Sequence, residues 1–296
     1  MTKIVVADRL DPETIVDMKM RWGVADVSER PGDLATELAD ADVLVVRART
    51  RVTRELLDAG KRLKIVARAG VGLDNIDVEE CGKRKIAVLN TPEASTISVA
   101  ELAIGLMIAL LRKIPKADAG MKAGKWEKKD LQGGELFGKT VGIVGFGRIG
   151  RAVAERLRPF GCKVMAESLG FKGEGDVEAV SLEELLRRSD IVTLHVSLTG
   201  ETKGMISAER IAMMKPGAIL VNTARGALVD EDALYDALKK RKIAGAALDV
   251  YSVEPYSGRL RGLENAILLP HLGADTAEGQ ARVGKQLVEE LEKAGL

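Results

Sequence analysis

The sequence predicts an α/β protein built from two doubly wound parallel-sheet domains, on three observations. Short apolar, β-branched runs alternate with stretches of helical period from the first residues onward, the rhythm of successive βαβ units. That rhythm breaks at Thr91-Pro92 and resumes at Thr140-Val141-Gly142-Ile143-Val144. The length, 296 residues, exceeds what one small core organises and fits two ordinary domains better.

In chain order, residues 3–7, 43–46, 63–67 and 87–89 read as strands, with helix-length stretches between them. Helix starts are marked by Asp11-Pro12 ahead of Glu13 and by Thr53 ahead of Arg54-Glu55-Leu56, where a polar cap precedes the periodic residues. After the break, residues 95–111 predict a long helix whose Ala, Gly and Leu content suits burial, bridging the two domains. A basic, glycine-containing stretch follows over residues 112–138, with Trp126 inside it. The second strand series is expected at 140–144, 163–166, 191–195, 218–222, 245–248 and 266–269. Residues 276–294 have helical period but no strand of their own to cross to, so this helix is expected to pack back on the first series. The expected domains are therefore 1–94 with 276–296, and 95–275.

Composition narrows the function. Lys and Arg total 45 against 44 Asp and Glu, so no net field draws the chain to nucleic acid or an anionic membrane. Its basic residues must act locally. Aromatics at 3% indicate an aliphatic core. Cys81 and Cys162 lack any CxxC or Cys/His spacing, which predicts no disulfide framework and no zinc site, and fits a reducing, cytoplasmic setting. The first residues meet Asp8 after a few apolar positions, too soon for a signal peptide, and the run 102–111 is too short to span a bilayer, which needs roughly 20 residues.

Gly145-Phe146-Gly147-Arg148-Ile149-Gly150 sits between an apolar strand and a helical stretch, and this context turns a weak glycine pattern into a dinucleotide turn. Gly145 allows the tight turn, Gly147 lets pyrophosphate approach, Gly150 permits close packing, and the helix N-terminus stabilises the phosphates. A carboxylate about 20 residues further on should accept from the adenosine ribose. Glu167 fills that place and favours NAD, whereas Ser168 with Lys172 nearby leaves NADP open. Arg225, between the apolar run Ile219-Leu220-Val221-Asn222 and Gly226, can make directional hydrogen bonds to a 2-oxo acid, though a lone Arg after a strand is more often a surface charge. His271 follows Ile267-Leu268-Leu269-Pro270 and has the side chain best suited to proton exchange near neutrality. His195 also ends a strand, but no carboxylate motif accompanies it, so it reads as structural or cofactor-lining.

Several segments together resemble the D-2-hydroxyacid dehydrogenase family, most closely its short phosphoglycerate dehydrogenases, over nearly the whole chain. They are Val66 to Asp77 (VARAGVGLDNID), Asn90-Thr91-Pro92-Glu93, the glycine turn, Asn222-Thr223-Ala224-Arg225-Gly226, Ala247-Leu248-Asp249-Val250 through Glu254-Pro255, and Pro270-His271-Leu272-Gly273-Ala274. The resemblance implies a discontinuous flavodoxin-like substrate domain with an inserted Rossmann-type nucleotide domain. It implies His271 as acid and base, Glu254 orienting it, and Arg225 gripping the substrate. Arg148, Ile149, Ser168, Thr223, Asp249 and Gly273 would line the cofactor, Asp249 meeting the nicotinamide carboxamide. The Ala69-Gly70-Val71-Gly72 loop would receive the substrate carboxylate on its amides, and Arg47 would meet a distal phosphate, with Arg49 and Arg51 adding charge. A basic loop making surface pairs is the alternative for Arg47.

The chain departs from the family pattern at Ser168, where Asp is common, and in residues 169–180, which are too short and glycine-rich for the customary helix. Ala94-Ser95 replaces a common Gly-Asn, and Ser197 a common Pro. The expected activity is NAD-dependent oxidation of D-3-phosphoglycerate, the first step of serine synthesis. The rivals are an NAD(P)H-dependent glyoxylate or hydroxypyruvate reductase and, more remotely, a nucleotide-sensing corepressor. A homodimer through the 95–111 helix and the Trp126 region is also implied.

Overall fold

The computed structural model describes residues 2–296 and divides by contact into two compact units. One runs to Thr96 and resumes as Ala274–Leu296, and the other is Ile97–Gly273.

The first unit opens with β1 (Lys3–Val6), α1 (Pro12–Arg21) and β2 (Gly23–Asp26). It continues through α2 (Leu34–Leu38), β3 (Val43–Val46), α3 (Arg54–Ala59), β4 (Ile65–Arg68), α4 (Val78–Lys83) and β5 (Ala87–Asn90). All pairs are parallel, in the order β2-β1-β3-β4-β5, the flavodoxin-type winding. The central strands are short aliphatic runs because helices cover both faces; all four residues of β3 are fully buried. The polar caps work as side-chain chemistry requires. Asp11 accepts from Thr14 N, Thr53 from Leu56 N and Asp77 from Glu80 N, each closing one orphan amide of its helix.

The edge strand β2 was absent from the sequence expectation. Its residues, Gly-Val-Ala-Asp, form no β-branched run and are only half-buried; they pair because α1 ends at Arg21 and returns the chain alongside β1. Other differences are shifts of one or two residues at strand ends. Leu63 lies before β4, for example, and Glu167 is the last residue of its strand.

The second unit begins with α5 (Thr96–Leu111) and α6 (Ile114–Lys122), then β6 (Thr140–Val144), α7 (Arg148–Leu157), β7 (Lys163–Glu167), β8 (Glu178–Ala179) and α8 (Leu182–Arg188). It continues with β9 (Ile191–Leu194), α9 (Ala208–Met213), β10 (Ile219–Asn222), α10 (Glu231–Lys239), β11 (Gly245–Leu248) and β12 (Ala266–Leu268). The seven-stranded order β12-β11-β10-β9-β6-β7-β8 is all parallel and reverses direction at β6 and β9. Ligands of open α/β sheets bind outside the carboxyl ends of strands at such a reversal. On one face Leu185, Leu186, Ile211 and Leu238 pack on the sheet; on the other, Ala103 and Met107 of α5 join Val153 and Leu157 of α7. Residues 169–177 hold no helix. Glycines 170, 173 and 175 turn the chain at positive φ, and the two-residue β8 is all the regular structure there, too short to read from sequence.

The final helix, α11 (Ala277–Lys293), is capped by Thr276 and belongs to the first unit. A Cβ on Gly284 would fall 1.7 Å from Thr14 Oγ1, so the absence of a side chain lets α11 lie directly on α1. Its Val283, Leu287, Val288 and Leu291 then share a core with Ile4, Val6, Met18 and Ile65.

Candidate active site

The glycine turn is built by close approach. Gly145 has φ +96°, and a Cβ there would meet the His195 carbonyl carbon at 2.7 Å, so the β6 turn presses against the chain leaving β9. A Cβ on Gly150 would reach 2.2 Å from Gly145 O, whereas nothing lies within 4 Å of a Cβ on Gly147. Two of the three glycines therefore serve packing, and the middle one leaves open space. Gly147 is also the N-cap of α7 and offers no side chain, so the first amides of that ten-residue helix face outward without a capping oxygen. That arrangement suits a pyrophosphate. Phe146 is buried beneath the turn, tilted against Phe171 at 4.5 Å with the Arg151 guanidinium 4.8 Å from its ring. Arg148 is exposed and Ile149 half-buried at the head of α7.

At the end of β7, Glu167 is half-buried. Burial holds its carboxyl above the usual range, Glu183 adds repulsion, and Arg210 opposes both. Ser168 follows, and Leu169 and Lys172 are exposed. The neighbouring strands end in buried polar atoms. His195 is half-buried, with its Nδ1 out of solvent. Its Nε2 lies 2.9 Å from Thr193 Oγ1, and its Nδ1 has no hydrogen-bond partner among the described residues. Desolvation pushes its pKa down to about 4, so the ring is neutral at physiological pH. Thr223, just past β10, buries an Oγ1 that is likewise unpartnered among the described residues. A buried polar atom without a partner usually awaits a ligand or water. The open glycine, the bare helix start and these two atoms fit a dinucleotide laid across the carboxyl ends of β6, β9 and β10.

The pair expected to exchange the proton, His271 and Glu254, lies toward the other end of the same sheet, past β11 and β12. His271 Nδ1 is 2.9 Å from Glu254 Oε2, and the other carboxylate oxygen, Oε1, accepts from Tyr251 N at 3.1 Å. Both side chains remain about two-fifths exposed, at 44% and 38%, so the imidazole is reachable from solvent. His271 adopts φ +59°, a left-handed conformation uncommon outside glycine. The fully buried Asp249 makes it tenable, its two oxygens accepting from Leu272 N and Gly273 N at 2.7 Å each. Burial raises the Asp249 pKa and those two amides oppose the rise. Asp249 thus acts here as the latch of the His271 turn.

Arg225 follows β10, whose last residue shapes the turn. Asn222 Nδ2 donates to Arg225 O and Asn222 Oδ1 accepts from Ala224 N. Gly226 then passes so close to the segment after β11 that a Cβ would stand 1.8 Å from Tyr251 C. This contact sets the Arg225 turn against the loop that carries Glu254. In the sequence Gly226 stands out only as the residue that follows Arg225, and Tyr251, which bears no expected role, does not stand out at all.

In the first unit, Arg47 is half-buried and its Nη1 donates to Arg9 O at 3.3 Å; among the described residues it makes no ion pair. Arg49, expected to add free charge, instead folds back on the buried Asp8 and donates to Ala7 O and Ser28 O, so its charge is already matched. Arg51 is exposed. The loop from Ala69 to Gly72 is pinned by Ala69 N to Val46 O, Thr91 N to Gly70 O and Asn90 Nδ2 to Val71 O. Arg68 folds over this loop, with its guanidinium 2.3 Å from where a Gly70 Cβ would stand. In the sequence Arg68 and Asn75 stand out only as members of the Val66 to Asp77 segment, and Asp8 only as the charge that ends the first apolar run.

Residues 104–273 match the model of the D-isomer specific 2-hydroxyacid dehydrogenase NAD binding domain. The chain is 48% identical to a hydroxypyruvate reductase of Thermotoga maritima, over 98% of this chain and 97% of that one. It is 45% identical to a D-3-phosphoglycerate dehydrogenase of Methanocaldococcus jannaschii, covering 99% of this chain but only 57% of that protein's length. A solved D-lactate dehydrogenase from Aquifex aeolicus, complexed with NAD and lactic acid, superposes with a TM-score of 0.86 at 30% identity, covering 99% of this chain and 95% of that one.

Proposed function

The chain belongs to the D-isomer specific 2-hydroxyacid dehydrogenase family, and from that premise we propose that it oxidises D-3-phosphoglycerate to 3-phosphohydroxypyruvate with NAD, the first step of serine synthesis. The 2.9 Å contact between His271 Nδ1 and Glu254 carries the reading. It fixes Nδ1–H as the donor to the carboxylate and leaves Nε2 to exchange a proton with the substrate. Arg225 binds the substrate carboxylate and the oxygen at carbon 2. As the alcohol is oxidised, His271 Nε2 takes the hydroxyl proton and Glu254 stabilises the imidazolium; in the reverse direction the same nitrogen returns the proton. The bound nicotinamide dinucleotide supplies the two-electron exchange. The open space at Gly147 and the first α7 amides would hold its pyrophosphate, with Gly145 and Gly150 shaping the turn by close packing and Arg148 and Ile149 flanking. Glu167 and Ser168 lie on the ribose side, and His195, Thr223 and Gly273 line the rest, while Asp249, fully buried with both oxygens on the His271 turn, supports that lining from beneath. The carboxylate at 167 favours NAD over NADP by repelling a 2′-phosphate.

Residues 69–72 receive the substrate carboxylate on backbone amides and Arg47 meets the phosphate in this reading. The two units correspond to a substrate domain and a nucleotide domain. A homodimer is part of the same proposal, supported by Ile97, Ile114, Met121 and Trp126 standing exposed on and after α5, Trp126 at 80%. A cytoplasmic setting is supported by two free thiols. A hydroxypyruvate reductase is the second reading, favoured by the relative that matches this chain end to end. Initial rates that cross NAD and NADP with phosphoglycerate, glycerate, lactate and glyoxylate partners test both readings. Preference for phosphoglycerate with NAD supports the first; equal or better turnover of unphosphorylated acids refutes it.

A further inference from the structure

The loop that carries Arg47 is held from two sides by buried or half-buried side chains of opposite hydrogen-bonding sense. Asp8, only 2% exposed, accepts from the two backbone amides Arg47 N at 2.6 Å and Thr50 N at 3.1 Å, and also from Thr50 Oγ1 at 2.7 Å. Asn75 Nδ2 takes the other side of the same two residues, donating to Arg47 O at 2.7 Å and Thr50 O at 2.6 Å. The backbone donors and acceptors of residues 47 and 50 are thus all satisfied by side chains, where a surface loop would ordinarily leave them to water.

Asn75 also has its acceptor engaged, since Oδ1 receives Arg68 Nε at 2.9 Å. Its backbone is fixed in turn by Val52 N donating to Asn75 O at 2.8 Å, beside the parallel bridge between Val52 and Ile76. One residue therefore ties three things together: its side-chain amide holds the carbonyls of the β3 loop and the inner nitrogen of the arginine at the end of β4, and its backbone carbonyl holds the strand-like pairing of residues 52 and 76. An asparagine is the side chain that does this, because it offers two donors and an acceptor on one short, uncharged plane. A neighbouring carboxylate would oppose the two carbonyls, and a longer amide would push the loop outward.

We propose that Asn75 is the positioning residue for recognition of a distal anion on the 2-hydroxy acid, setting where Arg47 and Arg68 stand relative to each other. The inference rests on the reading of a phosphorylated substrate. Asn75 itself touches no substrate; it acts through the placement of the two cations.

Initial rates on 3-phosphoglycerate and on glycerate, for the wild type, Asn75→Ala and Arg47→Ala, test it. Asn75→Ala is expected to raise KM for 3-phosphoglycerate about tenfold to a hundredfold, the scale of a displacement near 1 Å. Its kcat, and its KM for glycerate, are expected to change by no more than about twofold, because the lost binding is uniform between ground and transition states. Equal losses on both substrates, or an unchanged preference for the phosphorylated one, overturn the inference. Should Asn75→Ala not fold, Asn75→Asp keeps the acceptor for Arg68 and loses both donors, and the same selective loss is expected. A wild type indifferent to the phosphate refutes the phosphorylated reading and this inference with it. A preference abolished by Arg47→Ala but untouched by Asn75→Ala leaves that reading standing and removes only the role of Asn75.

Discussion

Replacing Gly226 by alanine is expected to damage catalysis more than stability. The added Cβ would lie 1.8 Å from Tyr251 C, 2.2 Å from Tyr251 Cα and 2.3 Å from Ser252 N. All three are backbone atoms, so no rotamer change relieves the overlap. Reaching ordinary carbon contact demands a shift of about 1.5 to 2 Å between the Arg225 turn and the segment that leads to Glu254. Overpacking of this kind costs about 1 to 3 kcal/mol, which a two-core domain of this size survives. Misplacement of a clamp relative to an acid-base pair by 1 Å is by contrast worth about a hundredfold in rate. The assay is kcat and KM for the preferred 2-hydroxy acid, alongside the melting temperature. A fall in kcat/KM of about a hundredfold with a melting point only a few degrees lower is expected. An alanine variant with wild-type kcat/KM would refute the claim that this approach sets the catalytic geometry.

Glu254→Gln keeps the shape of the dyad but removes the charge beside Nδ1 of His271, and kcat/KM is expected to drop about a hundredfold while cofactor affinity, read by titration calorimetry, stays near wild type. Thr223→Val deletes a buried hydroxyl with no partner among the described residues; without cofactor the variant should melt at the same or a slightly higher temperature, yet gain less from added NAD than the wild type does. His195 is held at a pKa of about 4, below its unfolded value near 6.5, so the unfolded chain binds the extra proton between those limits. Stability from this residue is therefore full above about pH 6.5 and lost as pH falls through about 4, some 3 kcal/mol in all. Calorimetric melting of His195→Asn should show a flatter acid limb than the wild type; parallel curves would argue that the ring is not buried neutral.

The fold was legible wherever burial on both faces forced an aliphatic run, as in β3 and β6, or where a cap residue had to precede a helix, as at Asp11 and Thr53. It was illegible at β2, whose Gly-Val-Ala-Asp is only half-buried and holds no β-branched run, and at β8, which is two residues long. In the site, residues with intrinsic chemistry announced themselves. Glu254 and His271 are three-dimensional neighbours at 2.9 Å although 17 positions apart; both histidines of the chain follow strands, so it is the family resemblance that sets His271 apart from His195. Residues that act by shape or by tethering did not. Gly226 matters for the atom it lacks, and Asp8, Asn75 and Asp249 matter for backbone groups they hold, partners that depend on strand register rather than on local sequence. Arg49 shows the converse, a charge that looks available until the buried carboxylate beneath it is seen.

The placement of α11 has a consequence for synthesis on the ribosome. The five-stranded sheet is complete by Asn90, but Val283, Leu287, Val288 and Leu291 cover one of its faces only some 190 residues later. At roughly 5 to 20 residues per second, the nascent sheet waits about ten seconds or more with that aliphatic surface bare, while the seven-stranded sheet emerges and can close first. A chaperone that shields extended apolar segments would find its natural client there, in the sheet that is made before the seven-stranded one, and a truncation before Ala277 would prolong that exposure indefinitely.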